Sequence, residues 1–364
     1  MAFILTFLGK PGTGRTTVAI AAAHALARRG QRVLFISQGL DLSLAERFPG
    51  VTLGNKPQSL GANLEGVRLQ AAGLLAEGWA EVKTLEKQYL RTPFLDKVFG
   101  QELGVLPGMA EALTLYWLKT IQADNRYDVL VLDMADSLAT LRMLGIPEVG
   151  SWYARRFGMV FNQSEFSRIL LPLLQPMMTA LFSGSDWFNV GSSQPFPQVG
   201  TLLEQGTAAI ADPSKTAAYL VTTPEPEAIR QARWLWGSAQ QINLTVGGVI
   251  SRVAGEIDPA AFAPLPTHTI PVTTGEMEPL IPLLPDFQRE AQAAPRPLII
   301  DAANRQVRVF LPGFQKSEVT LTQYGPELTV EAGDQRRNIV LSGALDGAKV
   351  TGAKFQDSTL MISL

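Results

Sequence analysis

From the N-terminus to about residue 285, short apolar runs bounded by turn residues alternate with longer stretches whose apolar positions recur at helical spacing. Phe3–Leu8, Val33–Ile36, Tyr127–Asp133, Ala218–Thr223 and Val246–Arg252 read as buried strands. Strands separated in this way by helical patterns predict an α/β fold, a mostly parallel sheet flanked by helices. Residues of about 55–120 and 150–210 read as a helical region within it. Past residue 297 the period changes to two. Gln306–Leu311, Glu318–Thr322, Glu327–Glu331, Arg337–Leu341 and Thr359–Leu364 alternate between turns at Pro312-Gly313, Tyr324-Gly325-Pro326 and Ala332-Gly333-Asp334. That pattern predicts a small all-β sandwich over 298–364. Prolines crowd the stretch between the two patterns, so the expected division is a domain over 1–285, a Pro-rich linker over 286–297 and the sandwich.

The first strand runs directly into Gly9-Lys10-Pro11-Gly12-Thr13-Gly14-Arg15-Thr16-Thr17, and an Ala-rich helix follows from Val18. A Gly-rich turn between strand and helix is the form of a phosphate-binding loop of the P-loop NTPase type. Its backbone N–H groups turn inward on phosphate oxygens, while a cation and the helix N-terminus offset their charge. Gly9, Gly12 and Gly14 supply the freedom, and the hydroxyl of Thr16 is the expected magnesium ligand. Asp133, closing a buried strand, stands where a carboxylate orders the metal's water shell. A nucleotide with Mg2+ is the ligand expected from the loop, and the resemblance set out below implies ATP. Arg15 occupies the place of the usual lysine, and Pro11 removes one donor.

Composition narrows the classes. With 364 residues, 46% hydrophobic and 18% charged, the chain can bury a large core and a smaller one. A net charge of −2 argues against a general nucleic-acid binder. The absence of cysteine excludes disulfides, iron–sulfur clusters and thiolate zinc, and His24 and His268 are too few for a histidine metal site. No apolar run has bilayer length and no basic leader precedes the first strand, so a soluble cytoplasmic protein is expected.

The lysine at the second loop position, Lys10, resembles the deviant phosphate loop of the dimeric ATPases that include the arsenite-pump ATPase, the partition ATPases and nitrogenase iron protein. That resemblance implies a homodimer in which Lys10 reaches the partner's nucleotide. Asp133-Met134-Ala135-Asp136-Ser137-Leu138-Ala139-Thr140-Leu141-Arg142 resembles the second switch of the ArsA branch, which also contains the ATPase that targets tail-anchored membrane proteins. Leu106-Pro107-Gly108-Met109-Ala110-Glu111 resembles that branch's P-G-x-x-E helix entry, and Val221–Pro226 its V-T-x-P-E-P loop. The likeness spans about residues 1–285 and implies nucleotide contacts from Gly9, Lys10, Gly12, Thr13, Gly14, Arg15, Thr16, Thr17, Thr223, Pro224, Glu225, Ser251 and Arg252. Ser251 stands where an adenine-reading Asn is usual. The closing strands, with Val309-Phe310-Leu311-Pro312-Gly313-Phe314, are similar to the α-crystallin domain of small heat-shock proteins.

The departures set the expected activity. Gly39 stands where the first switch of the family carries the Asp that orients attacking water, leaving Asp41 or Asp136 as stand-ins. With Lys10 and Arg15 as the other catalytic groups, slow hydrolysis is expected. The arsenite-binding and zinc-bridging cysteines of the family are missing. Ile169–Phe182 is apolar nearly all round a helix and reads either as a core helix or as the lining of a hydrophobic groove. The resemblance favours the groove, with Leu170, Leu174, Met177, Met178 and Leu181 meeting hydrophobic or tail-anchored clients and any membrane association transient, through client or receptor. An ATP-stabilised holdase that does not productively hydrolyse is the alternative. The sandwich either braces the dimer or binds clients.

Overall fold

The computed structural model describes residues 1–38, 48, 50–89, 108–163, 196–252, 257–273 and 276–364. Asp41, Gly39, Leu106, Pro107 and the groove residues Leu170, Leu174, Met177, Met178 and Leu181 lie outside the described residues.

An eight-stranded sheet forms the core of the first domain: β1 (Phe3–Leu8), β2 (Val33–Ser37), β3 (Gln58–Gly61), β4 (Leu64–Arg68), β5 (Val129–Asp133), β6 (Thr216–Thr222), β7 (Val246–Arg252) and β8 (Thr267–Ile270). Their spatial order is β3-β4-β2-β5-β1-β6-β7-β8, and every pairing except antiparallel β3–β4 is parallel. β1, β2 and β5 are buried along their whole length, which is why they read as unbroken apolar runs instead of alternating ones. The helices are α1 (Arg15–Arg28), α2 (Ala71–Tyr89), α3 (Met109–Ala123), α4 (Ser137–Gln163), α5 (Phe196–Ala211), α6 (Pro226–Gln241) and α7 (Phe287–Ala293). The α/β class and the five strands read from the sequence are all present.

Two expectations change here. The region from 55, expected to be helical, opens with the β3–β4 hairpin, because Leu64 and Val67 are buried beside β2 and the sheet is extended at that edge. The segment 286–297, expected to be a linker, opens with α7, which is docked on the sheet. Asp286 caps it by accepting from Arg289 N at 3.2 Å, Phe287 and Ala291 are buried one turn apart, and the Tyr219 hydroxyl donates to Phe287 O at 3.0 Å. His268 Nε2 lies 2.9 Å from Glu290 Oε1 on the same helix. Pro285 and Pro295 flank the proline-free stretch within which α7 forms.

The C-terminal unit is all-β, as expected: β9 (Leu298–Asp301), β10 (Gln306–Phe310), β14 (Gly352–Gln356) and β15 (Thr359–Ser363) form one antiparallel sheet, and β11 (Val319–Tyr324), β12 (Glu327–Ala332) and β13 (Gln335–Val340) another. Val307, Val309, Leu328, Val330, Ile339 and Ile362 close the core between them. β9 and β14 carry mostly exposed side chains and so gave no alternating signal.

This sandwich packs tightly on the first domain. A Cβ on Gly237 of α6 would overlap Pro312 O, and one on Gly333 would stand 2.8 Å from both Trp234 and Phe314. Trp236 and Phe310 meet edge to face at 5.3 Å between ring centroids. From α4, Arg142 pairs with Asp334 at 2.5 Å, Glu148 accepts from Asn338 N at 3.2 Å, and Arg336 lies 4.4 Å over the Trp152 ring. Glu148 and Trp152 lie one turn apart on α4, so that face of the helix serves the sandwich, with Arg142 reaching it from the preceding turns.

Candidate functional site

The loop between β1 and α1 sits at the carboxyl end of the parallel strands, where open α/β sheets bind ligands. Gly12 and Gly14 have φ values of 88° and 92°, a left-handed backbone that other side chains rarely adopt. A Cβ on Gly9 would overlap Val221 O of β6, so the loop rests directly on the sheet backbone. Thr13 folds the turn, its hydroxyl donating to Lys10 O at 2.8 Å and its N–H to the same oxygen at 3.2 Å. A Cβ on Gly12 would meet nothing within 4 Å, which leaves the mouth of the cradle open to a ligand. An open nest of N–H groups at a helix N-terminus fits a phosphate.

The loop is bolted to the start of α4. Gly9 N donates to Ser137 Oγ at 3.1 Å, and that hydroxyl donates to Gly9 O at 3.0 Å. Arg15 Nη1 donates to Ser137 Oγ at 3.2 Å and to Met134 O at 3.3 Å, and Nη2 to Ala135 O at 3.0 Å. Burial pulls the Arg15 guanidinium below its ordinary pKa, while Asp133 and Asp136 oppose that shift by favouring its charge. Arg15 therefore ties the loop to the second switch instead of projecting freely from it. Ser137 was not foreseen from the sequence as part of the site; its only signal there is its place at the head of the helix after the strand-ending Asp133.

Thr16 Oγ1 donates to Asp133 Oδ1 at 3.1 Å, and Asp133 is buried. A hydroxyl and a carboxylate side by side are hard oxygen donors suited to Mg2+, which keeps several waters and takes the rest of its shell from phosphate. Among the described residues, no group of three or more His, Cys, Asp or Glu side chains forms an all-protein metal cage. Thr17, in the same first turn, is buried.

The remaining expected residues divide. Lys10 Nζ lies 2.8 Å from Glu227 Oε2, and this partner in α6 was not anticipated. Thr223, Pro224 and Glu225 form the loop from β6 into α6, and hydrogen bonding from Thr223 is the leading cause that holds the exposed Glu225 below the usual carboxylate range, with Lys10 adding to it. Asp136 is engaged locally: its Oδ1 accepts from Ala139 N at 2.9 Å, a cap on the first turn of α4. Ser251 is wholly buried and its hydroxyl makes no hydrogen bond, so it does not open onto the loop; the neighbouring Arg252 reaches Gly14.

An apolar cavity of about 220 Å³ lies away from this loop, between α3, α4 and α5, lined by Leu115, Leu118, Leu144, Leu203 and Ile210 among others. No helix among the described residues is long and apolar enough to cross a membrane.

The family profile described as anion-transporting ATPase matches residues 1–253, and the HSP20-like domain found in ArsA matches residues 302–364. A Chlorobaculum tepidum protein provisionally named an arsenical pump-driving ATPase is 26% identical over 391 residues, covering 99% of this chain and 95% of its own length. Protein Rv2184c of Mycobacterium tuberculosis is 25% identical over 416 residues, covering 99% and 95%. ATPase ASNA1 homolog 1 of Paramecium tetraurelia is 23% identical over 222 residues, covering 60% and 64%.

Proposed function

This chain belongs to the anion-transporting (ArsA) ATPase family, and from that premise we propose that it is a slowly hydrolysing, Mg2+-dependent homodimeric ATPase that shelters hydrophobic client proteins, tail-anchored membrane proteins foremost. The observation that carries the nucleotide part is the loop clamped by Ser137 and Arg15, with the Thr16–Asp133 pair beside it. The N–H groups of Gly12 to Thr17 cradle the phosphates, and Thr16 with Asp133 orders the metal and its waters. When bound, Mg2+ neutralises charge on the phosphate oxygens. Glu227 holds Lys10 within its own subunit, so its reach toward a partner's nucleotide requires exchanging that ion pair for phosphate. An exposed pair of this kind is weak, because water screens both charges, and a phosphate can displace it.

Support for client binding is the apolar cavity among the helices and the HSP20-like domain seated beside them. The holdase reading draws on Asp136 being partly engaged, its Oδ1 capping α4, which leaves Asp41 and the second oxygen of Asp136 as the stand-ins for the missing water-positioning carboxylate.

Millimolar Mg-ATP is expected to raise the unfolding temperature, with EDTA removing part of the shift; a flat response refutes the nucleotide reading. Gly39→Asp is expected to speed phosphate release while leaving ATP affinity unchanged, and unaltered turnover means that another group already orients the water. Lys10→Ala is expected to reduce hydrolysis more than binding. Mixed with Arg15→Ala chains, it should regain activity in heterodimers, since one composite site is whole again; verified heterodimers that stay inactive remove the trans role. Crosslinking to a tail-anchored client, with and without ATP, separates the targeting factor from a nucleotide-independent holdase.

A further inference from the structure

Two helices begin at the phosphate loop and carry the sandwich further along. The head of α6 holds the loop through Glu227, whose Oε2 lies 2.8 Å from Lys10 Nζ. The head of α4 holds it through Ser137, which exchanges hydrogen bonds with Gly9, and Met134 and Ala135 just before it accept from the Arg15 guanidinium. In the last two turns of α6, Trp236 meets Phe310, Gln240 O accepts from Arg337 Nη1 at 3.0 Å, and Gln241 Nε2 donates to Val330 O at 3.2 Å. On α4, Arg142 takes Asp334 and Glu148 takes the Asn338 N–H.

The β12–β13 hairpin is therefore held by both helices. Side chains alternate along β13, so neighbouring residues serve different helices: Arg336 lies over Trp152 of α4, while Arg337 reaches the end of α6. The junction leaves no slack, since a Cβ on Gly237 would stand 2.2 Å from Pro312 O. α6 has its proline at the first position, where the missing N–H costs nothing, and runs unbroken from there to the sandwich. On α4 the Arg142 tie lies within two turns of Ser137, ahead of Pro147. A shift at the head of either helix has to carry the hairpin with it or break these contacts.

Phosphate acts on both heads. Lys10 and Arg15 belong to the loop itself, so an anion cradled there competes for them. Hydrogen bonds from a cation to phosphate are stronger than those to the uncharged Met134 O, Ala135 O and Ser137 Oγ, and the exposed Lys10–Glu227 pair is weakened by water.

We propose that the sandwich is the readout of the nucleotide site: phosphate replaces Glu227 on Lys10 and the second-switch acceptors on Arg15, the heads of α6 and α4 shift, and the β12–β13 hairpin follows. This coupling rests on the ATPase reading above and gives the C-terminal domain a regulatory part in it. The effect runs both ways, so contacts that seat the hairpin in the empty state oppose nucleotide binding.

Hydrogen exchange of the full chain, with and without Mg-ATP, tests the coupling without any variant. Exchange across Glu327–Val340 is expected to change beyond any change in the β10–β15 sheet of the same domain. The double variant Asp334→Ala with Arg336→Ala removes two exposed ties to α4 and leaves the net charge unaltered. It is expected to bind Mg-ATP roughly two- to thirtyfold more tightly in isothermal titration, the range for residues along a coupled network. Bound nucleotide with exchange unchanged, or changed equally in both sheets, overturns the coupling, as does equal or weaker affinity in the double variant. A wild-type chain that binds no Mg-ATP overturns the ATPase reading along with it, whereas wild-type binding with an indifferent hairpin removes the coupling alone.

Discussion

Arg337→Ala is expected to destabilise the protein by about 2–5 kcal/mol, the range for truncating a large, wholly buried side chain that leaves a cavity. Arg337 lies on β13 at the junction of the two domains and is wholly buried. Its Nη1 donates to Gln240 O at 3.0 Å, across to the last turn of α6. Burial lowers its pKa to about 10, with the Glu148 carboxylate opposing that shift, and burial pushes Glu148 above the usual carboxylate range. The two are not in ion-pair contact, and Nε and Nη2 of Arg337 and Oε2 of Glu148 make no hydrogen bond, so the influence of each charge only partly offsets the burial of the other. Truncating Arg337 leaves Glu148 without compensation and opens a void beside Gln240. The double variant Arg337→Met with Glu148→Gln removes both charges at similar volume and is expected to recover most of the loss, since it refills the void and removes the desolvation penalty of incompletely hydrogen-bonded buried charges. Urea unfolding of the two variants decides: equal destabilisation by single and double changes would show that shape alone, and not the charge pair, holds the junction.

Gly9→Ala is expected to abolish nucleotide binding, by roughly a hundredfold or more, while leaving most of the fold intact. The added methyl would overlap Val221 O and stand 3.0 Å from Thr13 Oγ1. Val221 is held in β6 between β1 and β7, so the sheet cannot retreat and the loop must lift. Lifting it breaks the two Gly9–Ser137 hydrogen bonds at the base of the site. Overpacking of this kind costs about 1–3 kcal/mol of stability, and a displacement near 1 Å at a positioning element can cost about a hundredfold in function. The check is a paired one: the unfolding temperature with and without Mg-ATP. A variant that keeps its full ATP-induced shift would show that the loop does not need its seat on β6.

The site was legible where chemistry follows from neighbours in the chain. Gly12, Gly14 and Thr16 are recognisable because strand, glycines and helix are contiguous, and Asp133 because it closes an apolar run. Arg15 was readable as a cation but not as a clamp, since its acceptors lie 119 to 122 residues away in sequence. Asp136 was read as a stand-in carboxylate, yet it caps the helix it precedes, a local use that the expected switch pattern concealed. Ser251 stands where an adenine-reading Asn is usual, and in the folded chain it is wholly buried, which its sequence context did not announce.

By itself the sequence determined the α/β class, the phosphate loop, the change of period that marks the sandwich, and the absence of thiol chemistry. Each of these depends on spacing within a dozen residues or on composition, and local backbone preference carries that information. Only the tertiary structure decided that Ser137 clasps Gly9 over 128 positions, that Arg252 crosses Gly14, that α7 docks where a linker was expected, and that Arg337 and Glu148 join the domains. Those pairings are fixed by which strands lie side by side and which surfaces exclude water together. No short-range pattern encodes them, because the energy of each contact exists only once the chain has brought distant residues into the same buried space.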